Sequence, residues 1–168
     1  MGSAKIQTPA GQQSGDSLEG QLRAQTEAIW QTIPGAQPLV RIYGYWPTMH
    51  DAIIREINVG FAEKTLKIVL DYTDLITDTK NSEVTTRITM LWRGVMDSKL
   101  RYSDPMLYGV GFSSKNGIIE TLFDDYEWGT DGCIRSERVE VLHFERLSDA
   151  SELHTNDAGC HNILISFD

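Results

Sequence analysis

Basic residues are scarce in this 168-residue chain. Fifteen Lys and Arg stand against 24 Asp and Glu, a formal net charge of −9 with a pI near 4.8. Nucleic acid and anionic membranes both reward Lys and Arg, so neither is expected as the partner. Cysteine is nearly absent: Cys133 and Cys160 are the only two. That excludes a disulfide scaffold and leaves two thiols expected to be free in a reducing compartment. No apolar run approaches the roughly 20 residues of a membrane-spanning helix. Residues Met1 to Ser17 have no signal-peptide core, because Ile6 stands alone among small and polar residues. Ile6 also occupies the position where a myristoylation signal wants Ser or Thr. These absences together give the expectation of a cytoplasmic protein.

Catalytic and cofactor signatures are missing too. Gly111-Phe112-Ser113 opens like a nucleophile elbow, but Lys115 stands where the closing Gly is needed. Gly109 and Gly111 begin a dinucleotide fingerprint that Ser114 fails to complete, and there is no Walker A segment. His143-Phe144-Glu145 resembles a deaminase His-x-Glu, with no Pro-Cys-x-x-Cys after it. The acidic stretch from Asp125 places Gly129, Thr130 and Ser136 at calcium-loop positions five, six and twelve, which breaks that pattern. Cys133, His154, Cys160 and His161 match no zinc spacing, and neighbours in a strand point to opposite faces. No metal, cofactor or catalytic set is expected.

What is present is an ordinary globular composition, 40% hydrophobic and 23% charged. Residues 1–15 are small and polar and read as a disordered tail; residues 16–168 read as one domain. Asp16 with Glu19 makes a capping-box-like pair, and Leu18, Leu22, Ile29 and Ile33 recur at helical spacing until Pro34-Gly35. From Leu39 onward the period changes to two. Ile53–Val59, Leu66–Tyr72 and Val84–Trp92 alternate, followed by strand candidates at Ser98–Tyr102, Leu107–Phe112, Ile118–Phe123, Ile134–Phe144 and Asn162–Phe167. Asn81-Ser82, Asp104-Pro105, Asn116-Gly117 and Asp131-Gly132 are turn signals. The expected fold is mainly β: an antiparallel sheet or sandwich of about eight strands with one N-terminal amphipathic helix. The last three strand candidates are compatible with a meander.

The negative charge is concentrated. Residues 116–134 hold Glu120, Asp124, Asp125, Glu127 and Asp131, and residues 147–168 hold Asp149, Glu152, Asp157 and Asp168, with no Lys or Arg in either stretch. These nine acids equal the whole net charge. Within the first stretch, Asp124, Asp125, Tyr126, Glu127, Trp128 and Asp131 set two large aromatics among four carboxylates between two strands. Aromatics anchor interfaces and carboxylates steer basic partners, so these six are the candidate partner-binding residues. The plainer alternative is a solvated loop whose Trp128 folds back onto the sheet.

The other distinctive cluster is Gly44-Tyr45-Trp46-Pro47-Thr48-Met49-His50-Asp51-Ala52. His50 beside Asp51 could be a general base with its orienting carboxylate. Adjacent strand residues face opposite ways, however, which favours scaffold roles: His50 bonding a loop, Asp51 capping backbone amides, Trp46 packed on the sheet edge. The run Trp46–Ala52 resembles the opening motif of the immunity protein 50 family, bacterial immunity proteins encoded beside polymorphic toxins. Arg93-Gly94-Val95 and the closing Cys160-His161-Asn162-Ile163-Leu164-Ile165 agree with it. The resemblance implies a small cytoplasmic β-rich protein, not an enzyme, that binds and occludes a cognate toxin. A basic toxin domain such as a nuclease would suit the acidic surface. Trp46, Pro47, His50 and Asp51 would then be scaffold. The rival readings are a small enzyme or ligand-binding domain centred on His50, and a self-associating structural protein.

Overall fold

The computed structural model describes residues 15–75, 83–102, 105–123, 130–147 and 163–165. Period-two patterning builds its centre. Leu66, Ile68, Leu70 and Tyr72 are buried on one side of β2 (Thr65–Leu75), and Val84, Thr86, Ile88, Met90 and Trp92 on the matching side of β3 (Glu83–Tyr102). The two strands run antiparallel with Ile68 opposite Met90, so the apolar faces coincide. β1 (Ala52–Gly60) pairs with β2, and β7 (Thr130–Leu147) pairs with β3 on its other side. Next come β6 (Ile118–Phe123) and β5 (Val110–Lys115), while the two-residue β4 (Met106–Leu107) lies outside β1. β8 (Ile163–Ile165) lies along Leu100–Tyr102 of β3. Every pairing is antiparallel, as the alternation implied.

β4 and β5 stand at opposite ends of the strand order β4-β1-β2-β3-β7-β6-β5, yet only Tyr108 and Gly109 separate them in the chain. Three Cα steps reach at most about 11 Å. The sheet must therefore curl until its two ends meet, and it is nearly barrel-shaped. A backbone bond stitches the seam, with Val110 N donating to Thr48 O (2.9 Å), and Ile54 N to Pro105 O (2.7 Å) extends the β1–β4 pairing beside it.

Two helices lie against this sheet, α1 (Gly15–Trp30) and α2 (Gln37–Tyr43). Trp30, Ile33, Ala36, Leu39 and Tyr43, three or four residues apart, are all buried in the core. The link between the helices is fixed to β7. A bulge leaves Leu142 outside the β3–β7 register, and Val141 N donates to Pro34 O (2.8 Å) instead. Gly35 sits at φ 80°, and a Cβ there would lie 2.0 Å from the Val141 carbonyl oxygen. From Gly20 to Ala28 the helix α1 is otherwise mostly exposed. Its Thr26 hydroxyl accepts from Phe112 N (2.9 Å) and donates to Phe112 O (3.3 Å), occupying the free edge of β5.

Several expectations are corrected. Residues 37–43 are helical rather than extended, because Pro38 suits a first helical turn and Gly44 adopts the left-handed cap. α1 begins at Gly15, one residue before the expected Asp16 cap, and the rest of the expected tail lies outside the described residues. Val84–Trp92 and Ser98–Tyr102 are one long strand. Asp131-Gly132 is not a turn but part of β7, where a Cβ on Gly132 would meet Lys99 O at 1.7 Å; the glycine serves close backbone approach. The last strands do not form a meander, since β8 pairs with β3. Asn116-Gly117 is a two-residue hairpin turn as expected, with φ 54° and 79°.

Candidate functional site

A half-open pocket of about 450 Å³ lies at the seam. α1 supplies one wall through Leu22, Arg23, Thr26, Glu27 and Trp30. The segment Tyr45–Thr48 supplies a second, and Gly109, Val110 and Gly111 at the start of β5 a third, with Asp74 and Leu122 completing it. Pro47 is buried and biases Trp46 towards an extended backbone. The Trp46 indole lies parallel to that of Trp30 (centroids 6.1 Å, planes 6° apart), and Phe112 meets Trp30 edge-on at 5.1 Å. Trp30 is fully buried, and its Nε1–H has no hydrogen-bond partner among the described residues.

The polar side of the cavity is a carboxylate held by phenols. Tyr45 and Tyr72 both donate their hydroxyls to Asp74 Oδ2. Burial, and then the bond to Asp74, pushes the Tyr45 hydroxyl up to about 12, and the same causes raise Tyr72 further. Both phenols therefore stay protonated donors at any physiological pH. Arg23 and Glu27, one helical turn apart and exposed, pair at 3.4 Å on the rim.

The His50–Asp51 pair is elsewhere. Met49 and Asp51 adopt φ of 58° and 61°, so residues 50–51 form a turn before β1 and strand alternation does not apply. Both side chains fall on one side, with His50 Nδ1 2.9 Å from Asp51 Oδ2. This corrects the expectation that Asp51 faces away from the ring. The two side chains are each 60% exposed, outside the cavity lining, with Tyr108 edge-on to the imidazole at 6.0 Å. Trp46 packs on α1 as well as at the seam.

Of the candidate partner-binding residues, Asp124, Asp125, Tyr126, Glu127 and Trp128 lie outside the described residues. Asp131 is in β7, in register with Arg101. The Phe123–Gly132 pairing holds the two ends of that segment together. Among the described residues no three His, Cys, Asp or Glu side chains cluster as a metal site. Cys133 is a half-buried free thiol, and burial followed by the Glu120 and Asp97 charges raises its pKa. His154, Cys160 and His161 lie outside the described residues.

A second ionic centre lies on the opposite face of β2. Asp71, its side chain 1% exposed, accepts from Arg87 Nε (2.8 Å) and Nη2 (3.0 Å) and from Arg55 Nε (2.7 Å). Burial alone would push this carboxyl up; the two guanidiniums outweigh it and hold it below the usual carboxylate range.

The cavity went unread in the sequence because its walls come from five separated segments. The usable signal was Gly109-x-Gly111 beside an aromatic run, two missing side chains on a strand. No family model, no curated protein and no solved structure matches the chain. No helix among the described residues is long and apolar enough to cross a membrane.

Proposed function

We propose that this chain is an immunity protein that binds a basic toxin domain in the cytoplasm and covers its active surface stoichiometrically. The observation that carries the reading is the acidic, aromatic segment 124–129, which contains no Lys or Arg and joins two paired strands at the end of the sheet. Carboxylates there would speed encounter with a basic surface, and Tyr126 and Trp128 would anchor the complex. The resemblance of Trp46–Ala52 to the immunity protein 50 motif supports the same reading. The exposed position of His50, beside Asp51 and Tyr108, fits a scaffold role better than general-base catalysis. The partner would be the toxin domain encoded by the reading frame adjacent to this chain's gene. The test is protection of cells expressing that domain. The Asp125→Ala, Glu127→Ala, Trp128→Ala triple variant should fold normally and lose protection. Full protection by the triple variant refutes this surface, and an adjacent frame with no toxin domain refutes the function.

A further inference from the structure

We propose that the exposed His50–Asp51 turn is a second contact of the partner-binding surface and takes an arginine or lysine side chain of the partner. The inference rests on the reading of this chain as the binder of a basic protein, and it goes beyond a scaffold role for the turn. Topology puts the turn beside the acidic segment. Phe123, the last residue of β6, is in register with Val110, the first of β5. Val110 N in turn donates to Thr48 O (2.9 Å). Two strand spacings of about 4.8 Å therefore put Thr48 roughly 10 Å from Phe123. Tyr108 precedes β5 at the same end of the sheet at which the 124–129 segment follows β6. Its ring meets the His50 imidazole edge-on at 6.0 Å.

The turn is conformationally costly. Met49 and Asp51 hold positive φ, 58° and 61°, a region that side chains crowd and glycine does not. Met49 is fully buried and fixes the turn from inside. Asp51 has no such anchor. Its side chain is 60% exposed, and among the described residues it caps no backbone amide; its contact is His50 Nδ1 at 2.9 Å. Strain at an exposed residue that braces nothing is a mark of a functional position. The chemistry presented there is acceptor-rich. Neutral His50 keeps its proton on Nδ1, towards the carboxylate, which leaves Nε2 an acceptor beside the oxygens of Asp51. Those acceptors suit the several N–H donors of an arginine or lysine, while an acidic group on the partner would be repelled by Asp51.

The test measures urea unfolding of the full chain and its affinity for the basic toxin domain of the protection assay. Asp51→Gly removes the strain together with the charge. Its unfolding midpoint should stay level or rise, and its affinity should fall about fivefold, the upper range for one exposed ion pair. Asp51→Asn keeps a residue that tolerates the left-handed region and removes the charge alone. It should lose about as much affinity at about 0.05 M salt and approach the wild-type chain at about 0.5 M, where an exposed charge pair is screened. His50→Ala should weaken binding by at least about twofold, through the lost acceptor and the freed carboxylate. A lowered midpoint in Asp51→Gly would make the turn scaffold alone and overturn the proposal. Wild-type affinity at low salt in Asp51→Asn or His50→Ala would overturn it as well. The absence of any complex with the wild-type chain refutes the toxin reading and this inference with it. A wild-type complex that all three variants leave intact refutes this inference alone.

Discussion

Asp71→Asn is the most informative single substitution in the fold. The change keeps the shape and replaces one acceptor oxygen with an amide that points hydrogens at a guanidinium. Three charge-assisted bonds hold the native carboxylate, two from Arg87 and one from Arg55. Breaking a fully buried pair typically costs about 3–5 kcal/mol, chiefly by stranding the remaining charge. Here Asp71 is 1% exposed, but the Arg55 and Arg87 side chains are 22% and 33% exposed and Arg87 also faces Glu145 at 3.9 Å, so water and that carboxylate partly compensate the cations. The expected loss is therefore about 2–3 kcal/mol. With a urea m-value of about 2 kcal/mol/M, the unfolding midpoint should fall by about 1–1.5 M at unchanged slope. Replacing all three together, Asp71→Leu with Arg55→Met and Arg87→Met, should recover most of that loss, because no charge is left buried without its partner. A loss below about 0.5 kcal/mol for Asp71→Asn would refute the reasoning, since it would place the cluster among ordinary surface pairs.

The same carboxyl sets an acid limit. Its folded pKa lies below the ordinary 3.8, so its stabilisation is complete above that value and disappears as pH falls through the folded pKa. Urea midpoints should be flat from neutrality to about pH 5, and Asp71→Asn should flatten the decline below about pH 4. At the alkaline end Tyr43 and Tyr45 are raised from 10.0 to about 12, so stability should be full below pH 10 and fall between 10 and 12. Tyr43→Phe should lessen that alkaline slope; at neutral pH it should cost about 1–2 kcal/mol, because the buried Thr86 hydroxyl loses its partner at 2.7 Å. Gly35→Ala should cost at least about 2 kcal/mol, since the new methyl must displace the Val141 backbone or abandon the left-handed turn; thermal unfolding by circular dichroism checks it.

Residues whose neighbours are set by local period were legible in the sequence. Ile118–Phe123 is a strand with the bounds expected, and the Asn116-Gly117 turn before it needs only two residues with positive φ. Leu66 to Tyr72 and Val84 to Trp92 declared their buried faces because side chains alternate along a strand. Residues 37–43 misled because Leu39, Ile42 and Tyr43 suit either a short strand or a helix turn, and length could not arbitrate. His50 and Asp51 misled because alternation was carried into a turn. The cavity was hidden for a topological reason: Trp30, Asp74 and Gly111 meet only once the sheet has closed on itself, and nothing in a linear pattern records that closure. The acidic segment 124–129 was legible as composition alone.

The central claim is recognition of a basic protein by an acidic, aromatic surface. Calorimetric titration of this chain with the proposed partner, a basic toxin domain, at about 0.05 and 0.5 M salt, tests it most directly. The account predicts a one-to-one complex whose affinity falls by at least tenfold between those salt concentrations and collapses in the 125/127/128 alanine variant. Heat-silent mixing, or a complex indifferent both to salt and to that variant, would contradict it.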